Sequence, residues 1–266
     1  MAKFGKLLTV VRNMVLKNRR DLSGRYLWAA NLFGGLLAIF YFYTSQFGIF
    51  SIESHRAIFF GVTLALVFLW FPASEKSPKN KFTALDVILA LGAVAVSAYF
   101  MMTYTSFALR PGTLHPYEVW LGWIAIAISL EGARRAVGVL LPLISLLALL
   151  YSYQPIAQIM PDAILHRGMS LLRISGFIYT SSDGLFGVVT NTMATYVLPF
   201  VIFGAFLQKS GAGNFFIELP YSLLGRTRSG SALVAVGSSA LLGSIVGSPL
   251  ANVVATGNFT IPLMLK

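Results

Sequence analysis

The sequence predicts an all-α integral membrane protein, with about six transmembrane helices followed by a re-entrant helical hairpin. Three observations predict it. Only 11% of the 266 residues are charged, under half of the roughly 25% usual in soluble globular domains. Six apolar runs alternate with short polar segments, most of them near the roughly 20 residues that cross a 30 Å hydrocarbon core. Residues 229–265 carry no charge at all, yet they are crowded with glycine, serine and proline.

Residues 1–25 are basic and partly amphipathic ("FGKLLTVVRNMVLKNRR") and suit the inner lipid surface. No small-residue cleavage site follows, and the next segment is a full span, so this is not a signal peptide. The apolar runs come at 26–47, 57–73, 83–104, 118–130, 137–153 and 185–207. The second and fifth are short for a crossing. Between the fifth and sixth, residues 171–187 ("LLRISGFIYTSSDGLFG") read as an interfacial helix on the outer side.

The basic residues orient the spans. With the N-terminus in the cytoplasm, all but four of the 20 lysines and arginines fall on the cytoplasmic side. The exceptions are Arg56, Arg110, Arg167 and Arg173. This is the asymmetry of the positive-inside rule, and it places the protein in a bacterial or archaeal cytoplasmic membrane with the lipid bilayer as its surroundings. Topology thus accounts for the net charge of +11, and no nucleic-acid partner is needed.

The acidic residues have structural readings. Glu131 with Arg134 and Arg135 has the spacing of a surface ion pair at a helix end. Asp86 can cap the start of the third span, while Glu118 and Asp183 stand where spans begin, favourable at a helix N-terminus. There is no cysteine, and His55, His115 and His166 lie far apart. No nucleophile–base set, paired carboxylates, GxxxxGK loop or metal-ligating cluster is present. The sequence predicts no catalytic residue, no metal centre and no cofactor: a protein that is not an enzyme.

The uncharged run of 37 residues (229–265) is too long for one span and short for two. Pro249 lacks an amide donor and disfavours helical geometry at Ser248. Gly247 is a natural helix end, Ser248 a good N-cap, and Pro249 suits the first turn of a new helix. Read alone, a Gly/Ser/Ala-rich helix with one proline is as easily a kinked span. The run's length and the basic residues at both ends (Lys209, Arg226 and Arg228; Lys266) favour helix, tight turn, helix. The tip's free backbone groups must then be buried in protein or line a wet cavity. Carbonyls ending the first half suit Na⁺, and amides starting the second suit a carboxylate. Ser239, Gly243, Gly247, Ala251 and Ala255 recur at the spacing of close helix contacts. Ser238, Ser244, Ser248, Asn252 and Thr256 supply uncharged oxygens.

"GSIVGSPLANVVATGNFTIPLM" (243–264) resembles the first helical hairpin of the large membrane subunit of TRAP (tripartite ATP-independent periplasmic) transporters, commonly G-x-S-G-S-A-x-A, then a short apolar helix and Gly. "LPFVIFGAFLQKSG" (198–211) resembles the arm-helix motif before it, commonly P-F-F-I-L-A-G-x-L-M-x-x-G-G. "EGARRAVGVLLPLI" (131–144), with the "NFTIPLM" ending, is most similar to fused permeases of the TAXI branch, in which a four-span small subunit precedes the large one.

The resemblance implies the front portion of an elevator-type transporter that takes up organic acids, typically carboxylates. A Na⁺ or H⁺ gradient drives it, and a periplasmic substrate-binding protein delivers the solute. It divides the chain into a basic segment (1–25), a four-span scaffold (26–135), linker and arm helices (136–228) and the first hairpin (229–266). The implied cation and substrate site is the hairpin tip: Gly243, Ser244, Val246, Gly247, Ser248, Pro249, Asn252 and Thr256. Gly247 and Ser248 match the family's tip. Val246 stands where a serine is usual, and Pro249 replaces the common alanine; Ser244 is a candidate for the missing hydroxyl. Family members have a second hairpin, so the expectation is a chain whose C-terminal half is missing and which does not transport alone. Two alternatives stay open: a different elevator-type carboxylate carrier without a binding protein, and a non-transporting scaffold or assembly protein.

Overall fold

The computed structural model describes residues 19–260 apart from 75–76, 111, 182, 226, 228, 245–251, 254–255 and 258–259. Among these, every regular element is helical, with one isolated bridge between Tyr153 and Met169. Contacts divide the chain between Ala194 and Thr195. The basic segment 1–25 lies largely outside the described residues.

The first unit is built on α1 (Gly24–Phe47), α2 (Ile52–Trp70), α3 (Ala84–Leu109) and α4 (Pro116–Val137). The first three are long and apolar enough to cross a membrane. At 22 residues, or roughly 33 Å, α4 is as long, and its charges sit at its two ends. Because lipid tails are as apolar as leucine, such helices are held by close contact rather than by exclusion from water. Glycines provide it. A Cβ on Gly61 of α2 would come within 2.8 Å of the Ser97 Cβ on α3, and one on Gly132 of α4 within 2.6 Å of Leu64 Cδ2 on α2.

Both ends of the α3–α4 pair are closed by ions. Asp86, in the first turn of α3, accepts from the Thr83 amide at 2.7 Å and from Arg135 at the end of α4 at 2.6 Å. Arg20 reaches the same carboxylate at 2.5 Å. At the other end Glu118, in the first turn of α4, accepts from the His115 amide at 2.7 Å, from Tyr99 at 3.2 Å and from Arg110 at the end of α3. Each antiparallel helix therefore begins with a carboxylate that caps it and pairs with the arginine ending the other. One expectation needs correcting here. Arg135 is not a surface residue: its side chain is 0% exposed, buried between Asp86 and Glu131. Spacing shows the i,i+4 pair with Glu131 but not Asp86, 49 residues away.

Three further expectations change. The fifth apolar run forms α5 (Leu140–Ser152), only 13 residues long. At roughly 20 Å it is too short for a 30 Å core, and none of its residues is buried. After a single turn, α6 (Gln154–Ala157), comes α7 (Leu171–Thr180), which covers only the first ten residues of the expected interfacial helix. Its inner face is buried: Tyr179 donates to the Val96 carbonyl at 2.8 Å and Ser175 to the Val119 carbonyl at 2.8 Å. The chain then turns, and Phe186 stacks on Phe100 with ring centroids 4.0 Å apart. Asp183 lies exposed in that turn, and the next helix starts five residues later as α8 (Val188–Thr192).

A π turn (Met193–Val197) joins α8 to α9 (Leu198–Lys209), and Val188–Leu207 together form the fourth helical stretch long and apolar enough to cross. The boundary between the two units falls inside that turn. In the second unit, Gly211 (φ 85°) lets the chain reverse from α9 into α10 (Ala212–Leu224). Next comes α11 (Gly230–Gly243). It packs closely on α10, where a Cβ on Gly237 would lie 3.2 Å from the Pro220 Cβ.

Candidate functional site: the uncharged helical hairpin

The second unit holds the uncharged run. α11 is 14 residues long, roughly 21 Å, and so does not cross a 30 Å core. Its buried stripe is Gly230, Val234, Ser238 and Leu242, one residue per turn along a single face. The chain then folds back. The Asn252 amide donates to the Ser239 carbonyl at 3.0 Å and to the Ser239 hydroxyl at 3.2 Å. Along one continuous helix, 13 residues would separate these groups by roughly 20 Å. One continuous helix through the segment is therefore excluded: the chain reverses between Ser239 and Asn252. The approach is close at the top of α11 too, where a Cβ on Gly243 would lie 3.0 Å from Asn252 Nδ2.

Of the residues the sequence singled out, Gly243 and Asn252 meet across this fold-back. Ser244, exposed at the end of α11, donates its hydroxyl to the Leu241 carbonyl at 2.7 Å. Thr256, buried, donates to the Asn252 carbonyl at 2.8 Å, and Thr260 repeats the bond one turn later at 2.9 Å. Val246, Gly247, Ser248 and Pro249, the expected tip itself, lie outside the described residues. The partner that sequence reasoning missed is Ser239, which it placed only in a packing series. The available signal was a serine far enough before the break to stand opposite Asn252 once the chain reverses.

These bonds share one property. The hydroxyls of Ser244, Thr256 and Thr260 spend their protons on backbone carbonyls, which leaves oxygen lone pairs free. Asn252 is anchored by its amide nitrogen, while its Oδ1 is buried with no hydrogen-bond partner among the described residues. The Ser238 hydroxyl is likewise buried and unpartnered. A buried acceptor without a donor costs about 1–3 kcal/mol, and such groups in native proteins call for a ligand, water or ion. Acceptors in excess, with no formal charge, suit a weakly held monovalent cation. Among the described residues no cluster of histidine, aspartate or glutamate could hold a metal ion.

Comparison with known proteins identifies a family. The family profile described as "Tripartite ATP-independent periplasmic transporter, DctM component" matches residues 124–266, over half of the chain. The match takes in most of α4, all later elements and the whole uncharged run. No curated protein and no solved structure matches the chain.

Proposed function

The chain belongs to the DctM component family of tripartite ATP-independent periplasmic transporters, and from that premise we propose that its hairpin binds the coupling cation and the solute's carboxylate. It is a multi-pass membrane transporter component, and the chemistry of a transporter is binding and release. The proposed system takes up organic acids. Na⁺ is the proposed coupling ion, because the hairpin offers neutral oxygens and no carboxylate that would carry a proton. A periplasmic substrate-binding protein delivers the solute from the side opposite the basic N-terminus, which faces the cytoplasm of a bacterial or archaeal cell.

The observation that carries this reading is the Asn252 Oδ1 in a charge-free fold-back, buried and without a hydrogen-bond partner among the described residues. The Ser239 carbonyl on α11 meets the amide of the same side chain, and the carbonyls that end α11 carry the partial negative charge of a helix C-terminus. In the proposed site they and the side-chain oxygens hold Na⁺, and the amides at the start of the returning segment face the carboxylate. The tip residues Val246, Gly247, Ser248 and Pro249 complete this site, with Ser244 supplying the hydroxyl that Val246 lacks. Motion of the hairpin relative to a fixed scaffold is the proposed route across the membrane.

Two finer assignments support one another. The profile match begins at residue 124, and most of α1 to α4 precedes it. These four helices are proposed to stand in place of the separate small permease subunit, as in fused proteins of the TAXI branch.

The test is thermal unfolding of the purified chain in NaCl and in choline chloride at equal ionic strength. Ligand binding to the folded state alone stabilises it by RT ln(1 + [L]/Kd), about 2.7 kcal/mol at 100 times Kd. Na⁺ should raise the midpoint for the parent, and Asn252→Ala should remove that rise. An equal response to Na⁺ and choline in the parent contradicts cation binding at the hairpin.

A further inference from the structure

A cavity of about 750 Å³ opens in the first unit, between the last turns of α3 and the length of α7. Its lining has two parts. Tyr104, Phe107, Ala108, Leu114, Gly176 and Phe177 make a floor of mostly apolar side chains. Among the described residues Arg173 is the one charged side chain in the lining, and none is acidic. Ser170, next to Arg173, adds a hydroxyl.

We propose that this cavity is a binding site for an anionic phospholipid, with the phosphate at Arg173 and Ser170 and an acyl chain along the floor. Three observations commit it to a lipid. The volume falls within the 300–1,000 Å³ of small-molecule sites, and apolar side chains from α3 and α7 line it beside a single basic residue among the described residues. Exposed Leu109, Leu171, Leu172 and Phe177 continue from its rim, so the cavity opens onto surface that faces acyl chains. Arg173 is exposed, on a ten-residue helix whose inner face is buried, and Arg110, which follows the last turn of α3, is held by Glu118. Arg173 is thus the lining's free cation among the described residues, placed as a long basic side chain is at a headgroup. α7 cannot shift to close the cavity cheaply. A Cβ on Gly176 would lie 2.5 Å from Leu114 Cδ1, and Tyr179 and Ser175 tie the helix to α3 and α4.

Two variants separate head from tail. Arg173→Gln removes the cation at an exposed position, and Ala108→Trp fills the floor from an exposed position. The full chain is reconstituted in nanodiscs of phosphatidylcholine with graded phosphatidylglycerol, and lipid retained after extraction is counted by native mass spectrometry. The parent should retain phosphatidylglycerol saturably over phosphatidylcholine. Arg173→Gln should lower the half-saturating fraction's selectivity about tenfold, and Ala108→Trp should abolish retention of either lipid at this site. Circular dichroism melts of both variants establish that they fold. Non-saturable retention, or retention unchanged in both folded variants, overturns the proposal. So does inorganic phosphate displacing the lipid at equal concentration, which would mark a free-anion site. Because α7 is remote in sequence from the hairpin, Asn252→Ala should leave this retention intact; a failed Na⁺ response and a failed lipid response are therefore distinguishable.

Discussion

At the scale of single residues, the first unit depends on charges removed from water. Asp86 is fully buried between Arg20 and Arg135, and removing one member of a buried pair typically costs 3–5 kcal/mol because the other charge is left stranded. Asp86→Ala should therefore destabilise the chain by about 3–5 kcal/mol, measured by denaturant unfolding in detergent. Glu131→Ala should cost less, since Glu131 keeps some exposure to water and Arg135 would retain Asp86. A comparable loss for both would mean that the network acts as one unit. The sequence showed Glu131, Arg134 and Arg135 as neighbours on one helix, and it showed Asp86 as a cap. It could not show that the cap and the helix end meet, because that contact is made by the antiparallel packing of α3 on α4.

At the scale of elements, close glycine contacts set which helices touch. A Cβ on Gly122 of α4 would clash with the Ser175 hydroxyl on α7. Overpacking of this kind usually costs about 1–3 kcal/mol. Gly122→Val should lower stability by that amount and loosen α7, which faster amide hydrogen exchange across Leu171–Thr180, read by mass spectrometry, would report. Unchanged exchange there would mean that α7 is not held by this contact. The spans themselves were legible from apolar runs, and four of the expected six appear as helices both long and apolar enough to cross, around residues 26–47, 57–73, 83–104 and 185–207. The run at 118–130 was read too short, because the charges that end the apolar core do not end the helix. The run at 137–153 was read too long, since Gly138 breaks away from helical geometry at its start (φ 105°) and Tyr153 turns extended at its end. A reversal of the chain was legible from the length of the uncharged run and its flanking charges, whereas Gly247, Ser248 and Pro249, where the turn was expected, lie outside the described residues. The contact of Asn252 with Ser239 was not legible, since a hydrogen bond across a turn depends on register and not on local pattern.

At the scale of the whole molecule, the composition and the family match converge on a membrane transporter component, and the central claim is that its uncharged segment is a re-entrant hairpin sensing a cation. The chain contains no cysteine, so single thiols can be introduced without background. Arg228→Cys, Ser248→Cys and Lys266→Cys would be labelled from each side of oriented vesicles with a membrane-impermeant thiol reagent, in NaCl and in choline chloride. The account predicts that positions 228 and 266 label from the same side, the side of the basic N-terminus, and that Na⁺ slows labelling at 248. Labelling of position 266 from the opposite side, with position 248 indifferent to Na⁺, would contradict it.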